Sequence, residues 1–367
     1  MEKINMRIIE APEFKKLVTF IPNKKEPIHN WFYYKEGFSK LLVDYFIDAF
    51  NIKKDNIVFD PFCGVGTTLV TCKQRGINSV GIDVSPLACF VSNVKTRNYD
   101  IKLLENTVKE ALKWKFEKPK ELPKNKWIEK AFSKYAIEDI VFYKTKINEI
   151  EDNDIKNFLY LALIDSAMKC SYVYKDGAIA KIFKRPVPPV GKIFKYKIRK
   201  MLKDIKMQKE DWYKSKAEVY LGDARNIEFS DCSFDFVITS PPYLNKIEYT
   251  SIYKTEFSLF FDFPETKLRS YIGEKTDKDI AEAYFEDMNK VLNELYRVCK
   301  ENAYLIIVIG GGCFPDKVVL VDEILAENAK QIGFKPEKIF IARKSWCTRA
   351  RTIKVGQIRE SILILKK

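Results

Sequence analysis

A chain of 367 residues with 46% hydrophobic and 31% charged content can bury a sizeable core, which excludes global disorder and fits one large domain with an insertion or two smaller domains. Its longest unbroken apolar run, residues 303–309, is far short of the ~20 residues needed to cross a bilayer, and the amino terminus alternates charge with apolar residues, so a soluble cytoplasmic protein with no membrane partner is expected. The formal charge of +14 favours a polyanionic partner, because a basic surface gathers phosphate.

In chain order, residues 56–60 form a short apolar run ending in Asp60, followed by Pro61-Phe-Cys-Gly-Val-Gly-Thr-Thr68 and a helical pattern over residues 69–75. This predicts strand, tight glycine turn, helix. A second strand, residues 79–83, follows the Arg75-Gly76 helix stop and ends in Asp83. The unit is βαβ, hence parallel and right-handed. The next convincing strand, residues 218–221 leading into Gly222-Asp223-Ala224, comes far later than a helical crossover requires. Residues 99–214 are therefore read as an insertion, with helices predicted over 103–116, 137–150 and 155–172. Residues 181–203 carry nine Lys/Arg and no acid, and Arg185-Pro-Val-Pro-Pro-Val190 is an extended stretch that cannot be helix. The α/β pattern resumes with a strand at 234–238 before Thr239-Ser-Pro-Pro-Tyr243, a helix over 280–300, and strands at 303–309, 338–342 and 361–365. Seven strands, five alternating with helices, make the class α/β. The expected division is residues 1–98 (cofactor-binding half), 99–214 (insertion) and 215–367 (catalytic half).

The eight cysteines, Cys63, Cys72, Cys89, Cys170, Cys232, Cys299, Cys313 and Cys347, form no C-x-x-C pair, and the single histidine is His29. No metal site is expected. The thiols read as reduced and mostly buried, and His29 as a surface or capping residue.

Open α/β sheets bind ligands at the carboxyl ends of their strands. Gly64 and Gly66 let backbone approach a ligand closely, Asp83 is placed to accept hydrogen bonds from ribose hydroxyls, and Asp223 to receive an adenine amino group. The third glycine of the dinucleotide fingerprint is missing, Thr67 taking up the run, and no G-K-[ST] follows, so NAD is disfavoured and a P-loop excluded.

Asp60-Pro-Phe-Cys-Gly-Val-Gly-Thr-Thr68 resembles the D-P-F-x-G-x-G-T motif of DNA amino-methyltransferases, and Thr239-Ser-Pro-Pro-Tyr243 resembles their catalytic [DNS]-P-P-[YFW] motif. The Ser form is typical of cytosine-N4 enzymes, as Asp or Asn is of most adenine-N6 enzymes. Residues 243–249 and 268–273 are also similar to sequence downstream of that motif. The resemblance implies a Rossmann-like class I methyltransferase sheet of about seven mostly parallel strands, and S-adenosylmethionine as methyl donor, leaving as S-adenosylhomocysteine. Asp60, Pro61, Phe62, Gly64, Gly66, Thr67, Asp83, Val84, Asp223 and Ala224 would hold the donor; Ser240, Pro241, Pro242 and Tyr243 would carry the chemistry.

The exocyclic amine of a base is a poor nucleophile because its lone pair is delocalised. Hydrogen bonds from its N–H groups to Ser240 and, by resemblance, to the Pro241 carbonyl would favour an sp³-like nitrogen, and positioning supplies most of the rest. Two prolines stiffen the loop and bring no competing N–H. Tyr243 would stack on a base flipped out of the duplex. The absence of a Pro-Cys nucleophile argues against C5 methylation.

The partner implied is double-stranded DNA, with RNA as the alternative, and adenine N6 is the alternative target to cytosine N4. A restriction endonuclease is the companion such enzymes often have. Phe183, Phe194 and Tyr196 interleave the basic stretch, whose Lys184, Arg185, Lys192, Lys195 and Arg199 suit phosphate contact. Arg343, Lys344, Arg349, Arg351 and Lys354 form a second basic group. The family's target-recognition region varies in place, and 99–214 is the candidate here. The cofactor motif precedes the catalytic motif, opposite to many S-P-P-Y enzymes. The aromatic cluster Trp31-Phe-Tyr-Tyr34 with Gly37-Phe38-Ser39-Lys40 resembles the segment that closes over the methionine part of the donor, and equally suits core packing.

Overall fold

The computed structural model describes residues 6–176, 179–244, 249–261, 280–349 and 352–367. Strand β1 (Arg7–Glu10) and helix α1 (Lys40–Ala49) lead into β2 (Ile57–Asp60), α2 (Thr67–Gln74), β3 (Asn78–Asp83) and α3 (Pro86–Thr96). A helical block follows: α4 (Ile101–Lys113), α5 (Lys126–Ala131), α6 (Lys134–Asn148), α7 (Asn153–Lys169), the hairpin β4 (Val173–Asp176) and β5 (Ile179–Ile182), α8 (Val190–Lys206) and α9 (Glu210–Lys214). The sheet resumes with β6 (Ala217–Leu221) and β7 (Phe234–Thr239), then come α10 (Tyr249–Ile252), α11 (Lys254–Phe260) and α12 (Ile280–Val298). The chain ends with β8 (Cys299–Gly310), the short β9 (Gly312–Cys313) and β10 (Val318–Val319), α13 (Val321–Ile332), β11 (Lys335–Arg349) and β12 (Ile353–Lys366).

The main sheet runs β6-β3-β2-β7-β8-β12-β11-β1. Each pairing is parallel except those of β12 with β8 and β11. From β2 the chain steps outward to β3 and β6, then returns to β7 on the other side of β2 and steps outward to β8. That reversal is the switch point at which an open sheet leaves a crevice at its carboxyl edge. The expected α/β class holds, with an eighth strand added: β1 pairs with β11, and its four residues are all exposed, so it shows no apolar alternation to read.

Cores cover both sheet faces. Residues Ile306, Val308, Ile362 and Ile364 pack on one side with α1, whereas Leu305, Ile307, Leu363 and Leu365 pack on the other with α12 and α13. This is why β8 reads as an unbroken apolar run rather than an alternating one. A third core fills the helical block and includes Leu87, Val91 and Val94 of α3 together with Trp31, so the block is joined to the sheet through α3. From residue 190 onward the basic stretch is a helix where no helix was predicted: Val190, Phe194, Ile198, Met201 and Ile205 of α8 are buried at helical spacing. Among the described residues no helix is long and apolar enough to cross a membrane.

Candidate active site

The loop after β2 is shaped by glycine where the backbone requires it. Gly64 has φ +49° and Gly66 φ +79°, both left-handed. At Gly66 a Cβ would lie 2.3 Å from the Ser92 Oγ of α3, so glycine lets α2 and α3 approach. The loop is tied to β3 by Asp83, whose carboxylate oxygens accept the Gly64 N–H and the Ser85 N–H, each at 2.9 Å.

A cleft of about 1150 Å³, measured to its open mouth, runs along this edge. Of the predicted donor-binding residues, Pro61, Phe62, Gly64, Thr67, Asp83, Val84, Asp223 and Ala224 line it, and so do Ser240 and Pro242. Asp60 and Gly66 do not line it. Gly66 backs onto Ser92 as described, and Asp60 is buried beneath the loop, accepting the Thr239 hydroxyl at 2.6 Å and the Phe62 N–H at 3.2 Å. Its carboxylate thus joins the loop after β2 to the end of β7. Asp223 receives Arg225 across both oxygens at 2.6–3.1 Å, and Arg225 reaches on to Asp287 at 2.9 Å. The cleft wall therefore carries carboxylates at Glu36, Asp83 and Asp223 among apolar side chains such as Phe62, Leu87 and Phe257. Those groups fit an adenosine with a cationic tail.

A second cavity of about 730 Å³ adjoins the first. It is lined by Pro241 and Tyr243 together with Lys35, Arg343 and Glu360, and the two cavities share Glu36, Gly37, Ser240 and Pro242. Ser240 donates its hydroxyl to the Val308 carbonyl at 3.1 Å, which turns the oxygen's lone pairs away from that carbonyl and leaves it an acceptor. The Tyr243 hydroxyl donates to Glu360 Oε1 at 2.8 Å, and Arg343 Nε donates to Glu360 Oε2 at 2.5 Å. Buried Tyr284 donates to the Pro242 carbonyl at 3.1 Å. The S-P-P-Y loop is thereby held from three directions.

The sequence profile of the DNA methylase family (N6_N4_Mtase) matches residues 13–93 and 234–367, more than half of the chain and both motifs. The chain belongs to this family of DNA amino-methyltransferases. It is 26% identical to the type II methyltransferase M.BsoBI of Geobacillus stearothermophilus, over 100% of this chain and 91% of that one. M.AvaI of Nostoc sp. is 26% identical over 92% of this chain and 85% of its own, and M.MjaII of Methanocaldococcus jannaschii 27% over 82% and 74%. A solved SAM-dependent methyltransferase from Methanosarcina mazei aligns over 88% of this chain and 96% of its own at 11% identity and TM-score 0.35. The methyl donor of the DNA methylase is S-adenosylmethionine. Residues 94–233, which hold the helical block and β6, lie outside the profile match.

Several residues of this methylase stand where the sequence did not put them. His29 is fully buried, not superficial, and burial with the nearby Lys95 and Lys40 charges pushes its pKa well below the usual value. Lys95, unremarked in the sequence, is buried in α3 and donates to the His29 and Val65 carbonyls at 3.2 Å, fixing the glycine loop from behind; burial lowers its pKa to about 7. Cys313 and Cys347 form a disulfide rather than remaining reduced, whereas Cys63, Cys72, Cys89, Cys170 and Cys299 are buried free thiols and Cys232 an exposed one. In the aromatic cluster, Tyr34, Gly37 and Phe38 line the first cleft. Trp31 instead packs in the core with its indole N–H on Asp204 at 2.9 Å, and Ser39 caps α1, accepting the Leu41 N–H.

Among the basic residues, Lys184, Arg185, Lys192 and Arg199 are exposed. Lys195 is half-buried and donates to the Trp114 carbonyl at 3.2 Å, and Lys197 is buried against Asp165 at 2.6 Å. Lys344 pairs with Glu10, and Lys354 lies over the Trp346 ring at 4.6 Å. Arg349 belongs to β11. Arg351 and residues 245–248 and 268–273 lie outside the described residues.

Asp60 yields a stability prediction. Burial raises its carboxyl pKa from 3.8 to about 6, partly offset by the Thr239 hydrogen bond. Because the folded pKa exceeds the unfolded one, the folded state takes up the proton first, and stability from this group grows as pH falls from about 6 towards 4, by up to ~3 kcal/mol. Asp60→Asn should therefore gain on the parent by about that amount between pH 4 and pH 8 in urea unfolding. Parallel pH profiles for the two proteins would refute a buried, titrating Asp60.

Proposed function

We propose that the chain methylates the N4 amine of cytosine at a specific sequence in double-stranded DNA, as the modification half of a restriction-modification pair. The observation that carries the reading is the position of Ser240, whose neutral hydroxyl stands on the wall common to the donor cleft and the second cavity. With its proton given to the Val308 carbonyl, its oxygen accepts an N–H of the target amine, and the Pro241 carbonyl is the second acceptor that family resemblance supplies. Together they draw the nitrogen toward sp³ geometry and aim its lone pair across the shared wall.

S-adenosylmethionine, bound along the cleft, supplies a methyl group already activated on sulfonium. Asp83 is offered for the ribose and Asp223 for the adenine amine, and the aromatic walls would exclude water. The base occupies the second cavity after flipping out of the duplex, with the Tyr243 ring, anchored through its hydroxyl to Glu360, as a stacking surface. Arg343 on the same wall supports cytosine over adenine. Cytosine presents two adjacent acceptors, N3 and O2, next to its amine, which suit a guanidinium fork, whereas adenine presents N1 and then a C–H. Exposed Lys184, Arg185, Lys192 and Arg199 are offered as phosphate contacts, and the type II methyltransferases that the chain resembles support site specificity and an endonuclease companion.

Incubating the protein with labelled S-adenosylmethionine and either duplex DNA or RNA, then separating nucleosides by mass spectrometry, tests this directly. N4-methylcytosine from DNA is expected. N6-methyladenine as sole product, or label in RNA alone, would sink the assignment. Arg343→Met should lower kcat/KM for DNA by about tenfold or more, as expected where a site built to hydrogen-bond loses a partner.

A further inference from the structure

Methyl transfer to an exocyclic amine leaves the nitrogen with one proton too many, and the residues assigned to the reaction offer nowhere for it to go. Ser240 is a neutral hydroxyl and the proline carbonyls are weak bases, so the S-P-P-Y loop orients the amine without accepting its proton. A basic group at the meeting point of donor and amine would take it directly, and that point is the wall shared by Glu36, Gly37, Ser240 and Pro242.

We propose that Glu36 is a further catalytic residue, whose Oε1 takes the proton that the target amine sheds. Its Oε2 accepts the Tyr253 hydroxyl at 2.8 Å, which fixes the carboxylate, while Oε1 is buried without a hydrogen-bond partner among the described residues. A carboxylate oxygen left so is costly unless a ligand satisfies it. The other acids of the two cavities are engaged at both oxygens: Asp83 by the Gly64 and Ser85 amides, Asp223 by Arg225, and Glu360 by Tyr243 and Arg343.

The step balances. The amine lone pair forms the new N–C bond, the C–S pair leaves with sulfur, the N–H pair stays on nitrogen, and the proton passes to Glu36 and then to solvent. A sulfonium cation and a carboxylate anion become two neutral groups, which a water-poor cleft favours. The charged and titratable groups acting on Glu36 are Tyr253, Lys175, Lys35 and Tyr33, and Asp83, Asp223, Arg225, Arg343 and Glu360 line the same two cavities. Lys175 is paired with Glu256 at 2.6 Å and lies 3.6 Å from the Tyr253 ring centroid. Burial raises the Glu36 pKa, and the Tyr253 hydrogen bond, the residue's own backbone N–H and the Lys175 and Lys35 charges pull it back. Methyl transfer needs the ionised form, so its rate falls as pH drops through that value.

The inference rests on transfer taking place at Ser240, but not on which base is methylated, since cytosine and adenine amines both shed a proton. Its test is single-turnover methyl transfer across pH 5–9 with calorimetric S-adenosylmethionine affinity, on the parent, Glu36→Gln and Tyr253→Phe. Glu36→Gln should bind the donor within about threefold of the parent, transfer methyl about 100-fold more slowly, the low end for a positioned base, and lose the acid limb of the profile. Tyr253→Phe, which removes a hydrogen bond to the ionised form, should move that limb to higher pH. A Glu36→Gln rate within threefold of the parent, or an acid limb unmoved in Tyr253→Phe, overturns the proposal. So does a loss of donor affinity as large as the loss of rate, which would place Glu36 at the donor's ammonium group. Full activity in Ser240→Ala would instead overturn the location of the reaction, a separate result.

Discussion

Replacing Ser240 with alanine is expected to slow single-turnover methyl transfer by about 100- to 1000-fold while leaving S-adenosylmethionine affinity within about threefold. The size follows from removing one oriented hydrogen-bond partner of a developing charge in a closed site, ~3–4 kcal/mol. Affinity survives because Ser240 is one of many residues on a cleft whose carboxylates and apolar walls are untouched. The substitution keeps both prolines, and the Tyr284 bond to the Pro242 carbonyl and the Thr239 bond to Asp60 still hold the loop. An unchanged rate would remove the catalytic assignment. A matching loss of donor affinity would make Ser240 a donor-binding residue.

Gly66→Ala should destabilise the protein by about 2–5 kcal/mol. A φ of +79° costs a residue with a Cβ ~1–2 kcal/mol. The new methyl must also displace Ser92, whose Oγ would stand at 2.3 Å, Cβ at 3.1 Å and Cα at 3.3 Å, and overpacking of this kind costs ~1–3 kcal/mol. Rotating the Ser92 hydroxyl away relieves the first contact only, because the other two atoms belong to the α3 chain itself. Pairing the substitution with Ser92→Ala should recover about 1 kcal/mol in urea unfolding and leave the backbone strain. Additive effects of the two substitutions would show that the contact with Ser92 is unimportant. Donor affinity should fall as well, since Gly64, two residues before, sets the cleft wall.

Local rules make much of this readable. Asp60-Pro-Phe with its two glycines, and Ser240-Pro-Pro-Tyr243, constrain backbone over four to nine residues and sit where apolar runs end, so both fall at strand ends on sequence pattern alone. The apolar run of β8 announces a strand covered on both faces. Helix α8 is legible too, in the 190, 194, 198, 201, 205 spacing, but the basic residues and prolines of the same stretch point toward an extended arm. Strand β1 and the outer halves of β11 and β12 carry little signal, because they are exposed and their register comes from a partner strand.

By itself, then, the sequence determined the class of fold, the family and the strand ends that carry Asp60-Pro-Phe with its two glycines and Ser240-Pro-Pro-Tyr243, all of which rest on short segments whose backbone preferences do not depend on distant neighbours. Only the tertiary structure decided which distant side chains meet them. Glu36 reaches the wall of Ser240 across about two hundred residues, Glu360 and Arg343 brace Tyr243 from the last two strands, Ser92 demands a glycine at 66, and Asp60 turns from the donor to Thr239. The reason is physical. A polar residue has no periodic signature, and its role is set by the one partner that folding brings within about 3 Å.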